Sequence, residues 1–236
     1  MSGDGRLWVG GREPEQIFLG TRAVNTVFLG DHQIWPPIGR VEIHQFADPN
    51  GPGPLGAWSL PVPWWAAFAV PALWGGGGGG AGGDGAFRRD GAGGKAPENG
   101  GAQLSLLDVS RSRGGELSII VGRGGAGGAV ERSGSPGGDS RVTYGTFGEV
   151  NKGGAGGSGY GDANGTTANT LDVTNYAPEY PKVTGGDGGS RDGIGGAPGG
   201  GGGGGSGGTF GGAKPGQPGG NGRVIVAFYS SVQPWM

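Results

Sequence analysis

Apolar and polar positions in residues 1–37 recur with a ten-residue period. Leu7-Trp8-Val9-Gly10, Ile17-Phe18-Leu19-Gly20 and Val27-Phe28-Leu29-Gly30 align as apolar, aromatic, apolar, glycine. Val24 and Ile34 keep the same spacing. Short apolar runs at this interval, each ended by glycine and a polar turn, predict strands. The turn segments Gly20-Thr21-Arg22 and Gly30-Asp31-His32-Gln33 are rich in residues that tolerate tight turns. The expected unit is a small antiparallel β-meander over 1–37, closed by Trp35-Pro36-Pro37. Units below about 40 residues rarely stand alone. The module is therefore expected to attach to another protein or to copies of itself. Trp8, Phe18, Phe28 and Trp35 are its candidate assembly-interface residues.

Residues 38–56 hold one alternating strand pattern, Val41-Glu42-Ile43-His44-Gln45-Phe46, and then a Pro/Gly stretch that suits neither helix nor strand. They are expected to be a strand and a linker. From 57 to 236 the pattern is short apolar runs between glycine tracts. Strands are predicted over 66–74, 103–109, 116–121, 140–147 and 223–229, all rich in Val, Ile and aromatics. The tracts fall at about 75–101, 122–139, 153–165 and 185–222. Helical periodicity is not sustained in any of them. The fold class is therefore mainly β: a small N-terminal meander followed by a glycine-rich β domain.

Composition then raises the question of what the tracts are. The chain has 65 Gly and 17 Pro among 236 residues, about a third, against roughly 12% in ordinary globular proteins. Yet it also has seven Trp, eight Phe and five Tyr, and a net charge of −2, which is not the profile of a solvated disordered polymer. Ordering a backbone costs about 1–2 kcal/mol per residue, and glycine has no side chain to bury in return. Backbone hydrogen bonds contribute about 1 kcal/mol net each. Two states satisfy so close a balance. One is mobile loops. The other is a bundle of extended three-fold polyglycine II helices, whose missing Cβ atoms let backbones approach and bond laterally. Strands bracketing the tracts favour the bundle.

The same totals narrow the chemistry. With no Cys and only His32 and His44, the chain offers no disulfide, no thiolate metal site and no multi-His centre. Its charge balance gives no electrostatic footprint for nucleic acid. The N-terminus lacks a basic region followed by an apolar run, so no signal peptide is expected. Gly122-Arg123-Gly124-Gly125-Ala126-Gly127 spells G-x-G-x-x-G after a strand, but no helix follows it, so no cofactor is expected. Gly185-Gly186-Asp187-Gly188-Gly189-Ser190 begins like a calcium nonapeptide but has Ser190 where the second carboxylate belongs. No catalytic residue, cofactor site or metal site is assigned, and an enzyme is not expected. The least glycine-dominated part of the tract region is 160–183. Tyr160, Asn164, Asn175, Tyr176 and Tyr180 combine aromatic faces with amides there. They are the candidate receptor contacts for a polar, sugar-like ligand.

Two stretches carry a resemblance. Ile17-Phe18-Leu19-Gly20-Thr21, Val27-Phe28-Leu29-Gly30-Asp31 and Ile34-Trp35-Pro36 form the first. Leu60-Pro61-Val62-Pro63-Trp64-Trp65-Ala66 leading to Trp74 and the following glycines forms the second. Together they resemble the glycine-rich minor tail proteins of long-tailed phages of actinobacterial hosts. That resemblance implies a structural protein of the distal tail of the virion, made in the host cytoplasm. It implies other tail-tip proteins as partners and a homo-oligomer, with a trimer favoured. The glycine-rich domain would face the host surface, and a dedicated adhesin for a cell-envelope glycan is the alternative. Pro71 departs from the pattern and argues against a regular central strand there.

Overall fold

The computed structural model of the chain describes residues 17–19, 22–24, 27–29, 32–35, 40–53, 56–97, 103–110, 115–172 and 181–230. In the N-terminal module, β1 (Ile17–Leu19) pairs with β2 (Arg22–Val24), and β3 (Val27–Leu29) pairs with β4 (His32–Trp35). The second and third repeats are thus hairpins, with Val24 and Ile34 on the returning strands, and the first lies outside the described residues. Trp8 lies outside the described residues. Phe18, Phe28 and Trp35 fall on β1, β3 and β4.

The core is two antiparallel sheets. The larger contains β5 (Val41–Phe46), β13 (Arg223–Tyr229) and β7 (Phe68–Trp74), with β8 (Gln103–Leu104) and β9 (Leu107–Asp108) along the far side of β7. The smaller runs in the order β12 (Phe147–Asn151), β11 (Ser140–Tyr144), β10 (Glu116–Ile120), β6 (Trp58–Pro61). The strand expected at 41–46 is therefore an edge of the main sheet, paired with β13 over six residues.

β7 and β13 read as continuous apolar runs because the larger sheet is covered on both faces, the usual reason for such runs. Ala69 and Leu73 on β7, with Val224, Val226 and Phe228 on β13, face the smaller sheet and pack with Leu117, Ile119 and Val142. Val70, Ala72, Trp74, Ile225, Ala227 and Tyr229 form the opposite face, under Leu171 and Val183.

Three strand expectations are corrected. The single strand expected over 103–109 is two short ones, β8 and β9, both paired with β7. Despite Pro71, β7 is an uninterrupted seven-residue central strand. The Pro71 carbonyl accepts from Ser105 N (3.3 Å), between β8 and β9. The missing donor of Pro71 therefore faces the one side where the neighbouring strand is already broken. The single strand expected over 140–147 is a hairpin instead: Tyr144 pairs with Phe147, and Gly145 turns the chain at φ 56°. A left-handed residue at the first of two loop positions suits glycine.

The tracts are ordered by backbone hydrogen bonds with a three-residue period. In the tract that follows β7, the N–H groups of Gly76, Gly79 and Gly82 donate to the carbonyls of Gly138, Ser135 and Arg132. Those of Gly77, Gly80 and Gly83 donate to Gly220, Gln217 and Lys214, and those of Gly78, Ala81 and Asp84 to Lys95, Ala92 and Arg89. All three neighbours run antiparallel. Carbonyls of the same tract accept from three parallel neighbours: Gly76 and Gly79 from Gly154 and Gly157, Gly77 and Gly80 from Gly125 and Gly128, Gly78 and Ala81 from Gly202 and Gly205. Six stretches thus surround one. The tract 200–205 is enclosed in the same way, its carbonyls accepting from Gly220, Gly189, Gly94, Gln217, Asp192 and Gly91 in turn.

These two enclosed tracts are the uninterrupted glycine runs of the sequence, and close approach is the reason. A Cβ at Gly76, Gly79 or Gly80 would run into the carbonyl of Arg123, Ala126 or Gly203. Outer tracts obey a laxer rule in which every third position faces solvent and need not be glycine. Arg123, Ala126 and Ala129 are exposed at that spacing, as are Lys152, Ala155 and Ser158, and Thr184, Asp187 and Ser190.

Two buried polar side chains join sheets to tracts. Ser140 Oγ donates to the Trp74 carbonyl (2.6 Å) and accepts from Gly122 N (2.9 Å). Asn151 Oδ1 accepts from Gly75 N (2.9 Å). Strands β7, β10 and β12 pass into their tracts at this seam, and a tract enters β11.

Candidate functional site

The tracts run away from the sheets and turn back at loops that gather around the end of the enclosed tract. Gly83 O accepts from Glu131 N, Asp84 N donates to Arg89 O, and Asp84 O accepts from Gly208 N. The loops at 85–90, 129–133 and 208–212 therefore meet at one level. Arg191 reaches Asp90 (Nη1 to Oδ2, 3.2 Å), and Asp192 accepts from Ser206 N (2.7 Å) and Lys214 Nζ (3.0 Å), which brings in the loop at 190–194. Gly91 bridges Tyr160, which brings in the loop at 158–161. Together these five loops form a tip.

Each turn is tight enough to need a left-handed residue: Arg88 (φ 58°), Glu131 (62°), Gly159 (68°), Asp192 (63°) and Phe210 (56°). Outside glycine this conformation costs about 1 kcal/mol or more per residue. Phe210 is the least expected occupant, since Asn, Asp or Gly would fit more easily.

Carboxylates hold the tip together. Asp84 is buried and accepts from the amides of Ala86 (2.7 Å) and Phe87 (3.1 Å). It also takes Arg89 through Nε (2.9 Å) and Nη2 (2.6 Å). The Ala86 amide first, then Arg89 and the Phe87 amide, hold its carboxyl below the usual value against the opposing effect of burial. For Asp192, burial is the largest single influence and pushes upward; the Ser206 amide and Lys214 together outweigh it, and the pKa is lowered. Asp90 accepts from Gly207 N (2.9 Å) and Glu131 from Gly85 N (3.2 Å). Arg89, so anchored, lies 5.3 Å from the Phe87 ring centre and 4.4 Å from that of Tyr160, a cation between two aromatic faces.

Large apolar side chains stand exposed on the tip. Phe87 is 74% exposed, Phe210 fully so, and Ile194, Val130 and Tyr160 are exposed beside them. Arg88 and Arg132 are exposed and make no ion pair among the described residues.

Of the candidate receptor contacts, Tyr160 stands in this tip. Asn164 lies farther back, its backbone N–H donating to Asp162 Oδ1 (2.9 Å) beside the tract at Gly93. Asn175, Tyr176 and Tyr180 lie outside the described residues. The described residues flanking them, Leu171 and Val183, pair with each other at the sheet end against Trp74. Tyr160 and those flanks are thus at opposite ends of the tracts. Phe87, Phe210, Arg88 and Arg89 were missed because isolated aromatics in glycine-rich sequence look like filler. The available signal was their position, at the one place in each tract where the three-residue pattern breaks.

Residues 53–229 match a family described as a glycine-rich domain. The chain belongs to this glycine-rich domain family. Comparison with curated proteins gives no match. The glycine-rich domain so defined takes in the tracts, the five loops, the smaller sheet and β7–β9 and β13, while β5 lies just before it. It also has an open groove of about 500 Å³ beside β6, lined by Trp58, Ser59 and Glu116, where the Ser59 hydroxyl donates to Glu116 (2.6 Å). Among the described residues of the domain, no group of three or more acidic or His side chains is placed to hold a metal ion. No described helix is long and apolar enough to cross a membrane.

Proposed function

We propose that the chain is a structural component of a phage tail tip, attached through its N-terminal module and presenting the five-loop tip to the host surface. The tract array in this reading is a bundle of polyglycine II helices acting as a rigid spacer. At a rise of about 3.1 Å per residue, the tract from Gly75 to Asp84 sets the tip roughly 30 Å from the sheets. The observation that carries the reading is the gathering of five loops, each with a left-handed residue, at the end farthest from the sheets. Strained, apolar loops on an ordered scaffold are the usual placement of a recognition surface. Resemblance of the Ile17–Pro36 and Leu60–Gly80 stretches to minor tail proteins supports the viral setting, and it supports a homo-oligomer, a trimer by preference, as does the small size of the N-terminal module.

A dedicated adhesin for an envelope glycan is the second reading, favoured by Tyr160 in the tip. Two measurements test the proposal. Antibody raised against the chain should label the distal tail of virions, and labelled full-length protein should co-sediment saturably with host cells. Label along the capsid, or no label on particles, contradicts the tail assignment. Absence of cell binding by folded protein contradicts the host-facing tip.

A further inference from the structure

Resting on the reading of the tip as the host-facing end, we infer that its partner is an anionic lipid surface. The argument begins with which side chains are free. Asp84, Asp90, Glu131 and Asp192 each accept a loop amide, and Arg89, Arg191 and Lys214 are each bound to one of those aspartates. These four carboxylates and three cations are thus engaged within the loops. Outward stand the apolar side chains Phe87, Val130, Ile194 and Phe210 and the cations Arg88 and Arg132, beside the exposed Glu131, Ser133 and Thr209.

Shape supports the same partner. Phe87, Val130 and Phe210 sit on three different loops, each next to or at the left-handed residue of its turn. A protein partner would need a matching pocket for each. A lipid interface needs none, because acyl chains and headgroups rearrange around inserted side chains. Aromatic residues favour that boundary, and arginines beside them meet lipid phosphates. Asp84 and Arg89 hold the Phe87 loop from beneath, so little order is lost on insertion.

The test uses full-length protein and flotation with vesicles of phosphatidylcholine, with and without phosphatidylglycerol. The wild type should float with the anionic vesicles, and added salt should reduce the bound fraction. Phe87→Ser combined with Phe210→Asn should lower affinity by roughly tenfold or more. Asn tolerates the left-handed conformation at 210, so the turn is kept; an unchanged circular dichroism spectrum and melting temperature check this. Arg88→Gln with Arg132→Gln should weaken binding to anionic vesicles by roughly fivefold or more and leave binding to neutral ones unchanged. No flotation of the wild type overturns the lipid inference. If the protein still binds cells, and the Phe pair removes that binding, the lipid is wrong but the host-facing tip stands. If the Phe pair leaves cell binding intact, both fail.

Discussion

The sheets and the tracts of this chain are ordered by opposite means. In the sheets, side chains do the work: Trp65, Trp74, Leu73, Phe228 and Leu117 are fully buried, and burying a large apolar side chain stabilises by about 1.5–3 kcal/mol. In the enclosed tracts, there are almost no side chains, and the N–H groups from Gly76 to Asp84 donate in rotation to three neighbouring stretches of backbone. Removing atoms should therefore harm the first region, and adding atoms the second. This contrast explains how one chain accommodates both seven tryptophans and 65 glycines.

The largest effect is expected where an atom is added inside the tracts. Gly79→Val would drive a side chain into the Ala126 carbonyl, costing about 3 kcal/mol or more. Denaturant unfolding checks it, and a loss under about 1 kcal/mol would mean the tracts are not closely packed. Leu117→Ala removes atoms from the fully buried sheet interface and should cost about 3 kcal/mol by the same method. Third comes the seam between the regions. Ser140→Ala leaves Gly122 N and the Trp74 carbonyl without their shared partner, at about 1–3 kcal/mol. Its effect on amide exchange should appear in both regions, whereas Leu117→Ala should act first on the sheets.

A smaller effect belongs to pH. The folded pKa of Asp84 is depressed, so its stabilisation is present above the unfolded value of about 3.9 and is lost as pH falls through the lower folded value. The Ala86 and Phe87 amide resonances should titrate below the ordinary carboxylate range, and Asp84→Asn should abolish that titration. A midpoint at or above the ordinary value would detach Asp84 from the tip. Least of all, Ala126→Ser on the exposed third position should change stability by no more than about 0.5 kcal/mol. A large loss there would break the distinction between inner and outer tract positions.

Much of the sheet architecture was legible in the sequence. β13 falls on the predicted 223–229, and β10 within 116–121, because alternating or continuous Val and Ile define them locally. The hairpin at Gly145 was hidden because Thr143 to Phe147 reads as one β-prone run with a single glycine. β6 was hidden by Pro61 and Pro63 nearby. Counting glycines led to the right question about the tracts but left out their phase. Gly122, Gly125 and Gly128 mark one buried face, and Arg123, Ala126 and Ala129 the exposed one. The tip was least legible, since it is assembled from five separated loops whose meeting depends on tract lengths matching to within a turn. Tyr160 was singled out for its chemistry, while Phe87 and Phe210 acquire meaning only from where the tracts end.

Amide hydrogen exchange on the full-length protein tests the central claim most directly. If backbone bonding orders the tracts, the amides of Gly76 to Gly83 and Gly200 to Gly205 should exchange as slowly as those of β7 and β13, opening only with global unfolding. Exchange of those glycine amides at unprotected rates, with β7 and β13 still protected, would contradict it.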